Sequence, residues 1–346
     1  MTPEPPEKRT VLVAGGAGYV GSVLVRHLLA AGYRVRVLDN LLYGNGDSLT
    51  GVLEHDGFSF RHGDIRSADD VNSALEQVTD VVLLASLVGD PACKRNPELA
   101  RSVNLDGAWN LFQCARDGSA GRFVFASTCS NYGLRGDTAA ASEGDELAPL
   151  SLYAQTKVEI ERRILEQPPE RGFAPIVLRV STAYGISPRM RFDLTVSEFT
   201  RELTLGRVLE VFDADTWRPY CHVEDIADGI RTVLEAPEVD VLGEVFNLGG
   251  VEGNYTKRMI VEAALDALGG DGSVRWTEGG VDARNYKVDF GKIAQRLDWT
   301  PRRTVPGAIG NLIGALRSGF FDDVERRELF YANHALRSGA EEDETG

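Results

Sequence analysis

From Thr10 onward, short apolar runs alternate with longer amphipathic stretches. The run VLVAGG is followed by residues 20–31, where apolar positions recur at helical spacing, and then by VRVLDN, so a strand, a helix and a strand are predicted in that order. Further apolar runs stand at 81–85, 123–126 and 176–180, with helical patterns over 68–78 and 97–116 between them. Strands that read as unbroken apolar runs are covered on both faces, which predicts a doubly wound parallel sheet with helices on either side. After Gly185 the rhythm changes: 192–206 reads as a helix, GRVLEVF as a short strand, and 225–236 and 255–268 as helices. The expectation is an α/β domain over 10–185 and a smaller C-terminal α/β lobe over 186–337, with the chain crossing between them. Residues 1–9 and 338–346, rich in Pro, Glu and Gly, lack the apolar content to pack and read as tails.

Composition narrows the function classes. Of 346 residues 43% are hydrophobic and 26% charged, as in soluble globular proteins. The formal net charge of −15 disfavours nucleic acid and anionic lipid as partners, because a field of that sign repels both. Cys93, Cys114, Cys129 and Cys221 show no CxxC spacing, so neither a disulfide framework nor a zinc site is expected and no metal is assigned. No apolar run is long enough to span a bilayer, and the first residues are acidic and proline-rich where a signal peptide is basic and then apolar. A cytoplasmic location with no membrane partner is the expectation.

Between the first predicted strand and helix lies Gly15-Gly16-Ala17-Gly18-Tyr19-Val20-Gly21. Gly15, Gly18 and Gly21, three apart, permit a tight turn, close approach of backbone to a pyrophosphate, and close helix packing, while the helix N-terminus favours negative charge. The next strand ends at Asp39, where a carboxylate accepts the hydroxyls of an adenosine ribose and repels a 2′-phosphate, so NAD is expected over NADP. Tyr43 and Gly44 follow in the loop and are placed at the same site. A dinucleotide-binding Rossmann fold is therefore predicted.

Tyr153 and Lys157, four apart in a helical stretch over 152–165, share one face. A lysine cation beside a phenol is expected to lower the tyrosine pKa toward the working pH and make it a base. The cluster Ser127-Thr128-Cys129-Ser130-Asn131-Tyr132-Gly133 follows a predicted strand, whose carboxyl end faces the ligand crevice. Thr128 is thus placed to hold the reacting hydroxyl toward Tyr153.

In these motifs the chain resembles the extended short-chain dehydrogenase/reductase family, the NAD-dependent nucleotide-sugar epimerases and dehydratases, from Val11 to about Ile309. The resemblance implies a catalytic triad of Thr128, Tyr153 and Lys157. It implies cofactor contacts from Gly15, Gly18, Tyr19, Val20 and Gly21, from Asp39, Asn40 and Leu41, from Asp64 and Ile65, from Ala85, Ser86 and Leu87, and from Asn104. Arg218, in RPYCHVED, and Arg284, in ARNYKVD, are similar to the family's substrate-diphosphate arginines, a role that suits a planar guanidinium. A nucleotide-diphosphate sugar as substrate and a homodimer follow from the same resemblance.

The departures shape the expected activity. Dehydratases of the family carry Asp and Glu after the catalytic Thr, whereas this chain has Cys129 and Ser130, which leaves elimination underequipped. Cys129 is a candidate general acid or base if its thiol is tuned. Thr182 replaces an asparagine that contacts the substrate diphosphate in 4-epimerases, and Arg191, in SPRMRFDL, is a candidate substrate contact. The leading expectation is an NAD-dependent nucleotide-sugar epimerase acting at C4 through a transient keto sugar. The alternatives are an NAD(P)H-dependent 4-ketoreductase for a 4-keto-6-deoxy sugar, a 4,6-dehydratase, and, from another class, a non-catalytic NAD-binding sensor or scaffold.

Overall fold

The structure is a computed structural model that describes residues 8–118, 120–135, 139–168, 172–280, 284–333 and 336. The strands are β1 (Thr10–Ala14), β2 (Arg34–Asp39), β3 (Phe58–His62), β4 (Asp80–Leu83), β5 (Arg122–Thr128), β6 (Ala174–Val180), β7 (Thr182–Tyr184), β8 (Val208–Phe212), β9 (Trp217–His222), β10 (Val245–Leu248), β11 (Asn254–Thr256) and β12 (Ser273–Thr277). The helices of the first half are α1 (Tyr19–Ala30), α2 (Ala68–Leu75), α3 (Asp90–Arg95), α4 (Pro97–Arg101), α5 (Ala108–Asp117) and α6 (Leu152–Leu165). Those of the second half are α7 (Thr195–Thr204), α8 (Val223–Glu235), α9 (Glu238–Val241), α10 (Lys257–Ala267), α11 (Gly291–Leu297), α12 (Val305–Arg317) and α13 (Glu328–Tyr331).

Seven strands form one sheet in the order β10-β6-β5-β4-β1-β2-β3, and every neighbouring pair is parallel. Val11, Leu12, Val13 and Ala14 are all fully buried, as a strand covered on both faces requires. One face packs α1 and α8 through Val23, Leu24, Leu28, Ile226 and Ile230. The other packs α2, α5 and α6 through Val71, Leu111, Phe112, Ile160 and Ile164. A third core, with Phe199, Val211, Ile260 and Ile309, gathers α7, α10 and α12 with β8.

Strand β10 comes from deep in the second half and pairs parallel with β6 in the main sheet. Its four residues are too short for a period to register. Strand β3, at the sheet edge and half exposed, is equally silent in the sequence. Residues 97–116, read as one helix, are α4, a π-helical turn at Ser102–Gly107, and α5. Arg9, assigned by composition to a tail, is 4% exposed and its guanidinium pairs with Asp80. The remainder of both tails lies outside the described residues, apart from Lys8. Among the described residues no helix is long and apolar enough to cross a membrane, and no group of three or more His, Cys, Asp or Glu side chains is arranged to hold a metal ion.

Candidate active site

A cavity of about 470 Å³ runs along the carboxyl ends of the central strands, between the sheet and the lobe. Its floor is the glycine turn. Gly15 has φ +86°, and a Cβ there would lie 2.5 Å from the Ala85 amide nitrogen. A Cβ on Gly21 would lie 2.2 Å from the Gly15 carbonyl oxygen. These positions let α1 begin directly against the strand ends, and its N-cap, Gly18, offers no side chain to occupy the first amides. Asp39 ends β2 and accepts hydrogen bonds from the amides of Ala17 and Leu41, 3.0 and 2.9 Å away. Burial pushes its carboxyl up from the usual value, against those two bonds. Each oxygen retains a lone pair for a hydroxyl donor, so the cradle and Asp39 suit the diphosphate and ribose of a dinucleotide.

Leu41 and Gly44 do not line the cavity, contrary to expectation. Both have positive φ and form the turn that carries Leu42 and Tyr43 to the wall. Asn104 is likewise set back, on the π-helical turn. Its Oδ1 accepts from the Leu87 amide and the Ser86 hydroxyl, at 2.8 and 2.9 Å, so it holds the 86–87 segment in place. Asn40, Asp64, Ile65, Ala85, Ser86 and Leu87 line the wall where the sequence places them, with Tyr19 and Val20 at the cradle. Asn40 and Arg66 hydrogen-bond Asp64 and, overriding its burial, bring it down to about 2.

Helix α6 is capped by Ser151, whose Oγ accepts from the Ala154 amide at 3.3 Å, and this sets Tyr153 and Lys157 on the cavity wall. Lys157 donates from Nζ to the Ala126 carbonyl at 2.9 Å and lies 5.8 Å from the Tyr153 ring centroid. Burial pulls the ammonium down to about 7. Burial also pushes the Tyr153 phenol above its usual value, opposed by Arg191 and Arg284. The expected lowering of the tyrosine by its lysine is therefore overturned in this state, because both groups sit in a low-dielectric wall that disfavours their charged forms.

Thr128 ends β5 and accepts from the Ser130 amide at 3.1 Å, which leaves its own proton to donate into the cavity. Beneath it, Glu161 accepts from Ser127 at 2.7 Å and pairs with Arg179, and Arg179 donates to the Tyr132 hydroxyl at 2.8 Å. Tyr132 in turn donates to Asn247 of β10 at 2.7 Å. This closed network fixes the 127–133 segment from three strands. Cys129, also at the wall, donates its thiol to the Arg179 carbonyl at 3.1 Å, and burial pushes it up to about 12. The tuned thiol considered as acid or base is not what the structure presents: its proton is held and its bond is spent on the backbone.

Arg191, expected to contact substrate, lines the cavity but donates from Nε and Nη2 to Asp193, at 2.9 and 2.7 Å. Arg284 pairs with Asp90 at 3.0 Å and donates to Ser130 Oγ at 3.3 Å, so it links Asp90 to the 127–133 segment. Arg218 donates to the Trp217 carbonyl at 2.7 Å and stacks on Tyr286. Thr182 reaches the wall beside Ser181. His222 caps α8, its Nδ1 accepting from the Glu224 amide at 3.2 Å, which is a structural task.

Sequence reasoning passes over Asp90, Arg189, Lys257 and Asn333, all in the wall. Arg189 stands two residues before Arg191 and carries the same signal. Asp90 follows Leu87 by three residues. Asn333 lies beyond every motif, and nothing local marks it.

A family model described as the NAD dependent epimerase/dehydratase family matches residues 11–249. The low-salt glycan biosynthesis protein Agl12 of Haloferax volcanii is 31% identical over 84% of this chain and 93% of its own length. The dTDP-glucose 4,6-dehydratase DesIV of Streptomyces venezuelae, solved with NAD bound, superposes with a TM-score of 0.80 at 30% identity, covering 89% of this chain and 97% of that one. The UDP-glucose 4-epimerase of Thermus thermophilus, solved with NAD, gives 0.78 at 26% identity, with 89% and 99% covered.

Proposed function

The chain belongs to the NAD dependent epimerase/dehydratase family, and from that premise we propose that it inverts C4 of a nucleotide-diphosphate sugar through a keto sugar formed and reduced in one site. The observation that carries this reading is the state of positions 129 and 130. Elimination asks for an acid and a base beside the catalytic threonine, and here a buried thiol bonded to a carbonyl and a serine stand there.

NAD, held by the turn from Gly15 to Gly21 and by Asp39, would supply a hydride acceptor and donor for the sugar carbon. Thr128 donates to the reacting oxygen and orients it toward Tyr153. Tyr153, in its phenolate form, accepts the hydroxyl proton and later gives it back to the same oxygen, so the proton balance closes on one side chain. Burial disfavours the phenolate, and the charges of Arg191 and Arg284 oppose that push and favour the form that accepts a proton. Arg218 and Thr182 hold the nucleotide diphosphate, and Asp90 steadies Arg284 over Ser130.

Purified protein incubated with UDP-, dTDP-, GDP- and CDP-sugars, with no cofactor added, is expected to give a C4 epimer by NMR. Absence of an epimer from all four sets, stoichiometric loss of added NADH, or solvent deuterium at C5 would each replace the reading, the last two by ketoreduction and dehydration. Tyr153→Phe is expected to lower turnover by about 10²- to 10⁴-fold. Unchanged turnover would remove Tyr153 from the chemistry.

A further inference from the structure

Among the cavity-wall side chains whose buried polar atoms have no hydrogen-bond partner among the described residues, two stand side by side. Their atoms are Nε and Nη2 of Arg189 and the hydroxyl of Tyr43. They lie together, the Arg189 guanidinium carbon 4.8 Å from the Tyr43 ring centroid. Arg189 is 2% exposed, and among the described residues it makes no salt bridge. Arg191, two positions on, gives Nε and Nη2 to Asp193. A buried guanidinium with open donors is costly, and a ligand rich in acceptor oxygens removes that cost.

The backbone says which ligand atoms meet it. Arg189 sits in the loop between β7 and α7, and this loop is stitched to the first turn of α1. The Tyr19 hydroxyl donates to the Gly185 carbonyl, Ser187 Oγ donates to the Tyr19 carbonyl at 2.7 Å, and the Arg189 amide donates to Ser187 Oγ at 3.3 Å. The open guanidinium is thus tethered through one residue to the helix start that cradles phosphate. Asp193 and, more weakly, Asp39, which takes the ribose end, act on Arg189 electrostatically.

We propose that Arg189, steadied by Tyr43, is a diphosphate clamp for the dinucleotide, closing the backbone cradle of α1 from the loop of the C-terminal lobe. The inference rests on NAD as cofactor and is independent of which sugar carbon reacts. It makes cofactor retention a joint property of both lobes, as a reaction that returns its hydride needs.

Nucleotide-stripped wild type, Arg189→Met, Arg189→Lys and Tyr43→Phe distinguish the roles by calorimetric titration with NAD, ADP-ribose and adenosine, alongside thermal melts of the stripped proteins. Arg189→Met is expected to weaken NAD and ADP-ribose by about 10- to 100-fold and leave adenosine unchanged. Its stripped form is expected to melt no lower than wild type, because a buried unpaired cation has gone. Arg189→Lys falls between, and Tyr43→Phe loses less than Arg189→Met. Equal weakening of adenosine, unchanged NAD affinity, or a stripped Arg189→Met that melts lower overturns the proposal. If Arg189→Met fails to fold, Arg189→Lys with NAD affinity equal to wild type does the same. Wild type that binds adenosine but not NAD overturns the cofactor reading along with it.

Discussion

At the scale of single residues, the site is governed by what burial does to charge. Lys157 illustrates it. Its ammonium is brought from 10.5 down to about 7 by desolvation, so the folded protein releases this proton near neutrality while the unfolded chain keeps it until about 10. Between those values the unfolded state binds more protons, and stability rises with pH across that window, the burial cost being fully present below about 7. Melts of the stripped protein from about pH 6 to 9 are expected to climb, and Lys157→Met is expected to flatten the climb. A flat wild-type profile would show that the lysine keeps its charge in the fold. Residue identity is legible here: the spacing of Tyr153 and Lys157 and the glycines of the turn can be read without coordinates. The protonation is not, because it depends on Ala126, Phe125 and Cys93, which approach from elsewhere in the chain.

At the scale of elements, helix α1 is the piece on which cofactor and lobe converge. It can start against the sheet only because Gly21 leaves room for the Gly15 carbonyl, and the nearest atoms to an added Cβ are backbone, which cannot swing aside. Gly21→Ala is therefore expected to displace the helix start, weaken NAD at least about tenfold and lower the melting temperature. Unchanged affinity by titration would mean the cradle is looser than its geometry. Helix α6 is placed by sequence to the residue, since its pattern repeats over several turns, whereas α12, thirteen residues long, is not read at all. Strands β3, β7, β9, β10, β11 and β12 escape it, each six residues or fewer, three of them with no room for alternation to show. The π-helical turn escapes for another reason: Asn104 is drawn to the 86–87 segment, a contact invisible to local propensity.

At the scale of the whole molecule, the end of the sheet away from the cavity is fastened by two arginines. Arg9 pairs with Asp80 at the start of β4 and donates to the Leu234 carbonyl, and Arg122 donates to the carbonyls of Val233 and Ala236. Together they satisfy carbonyls at the C-terminus of α8, where the helix dipole favours cations. Asp80→Asn leaves the Arg9 charge buried and uncompensated, and is expected to cost about 3 kcal/mol in urea unfolding while sparing NAD affinity. A loss below about 1 kcal/mol would mean water or the Leu234 carbonyl suffices for Arg9.

The sequence by itself determined the alternation of strands and helices in the Rossmann half apart from β3 and the break within 97–116, and it marked the glycine turn, Asp39 and the spacing of Thr128, Tyr153 and Lys157, because each of these is written in local spacing and periodicity. Only the tertiary structure decided which charges are spent and which are open. Arg189 and Arg191 are alike in sequence, yet one is open toward the cavity and the other is paired with Asp193; Arg284 is shared with Asp90, and Cys129 is held by a carbonyl. A charge is defined by the partners that folding brings to it, and those partners can lie dozens of positions away, beyond the reach of any local pattern.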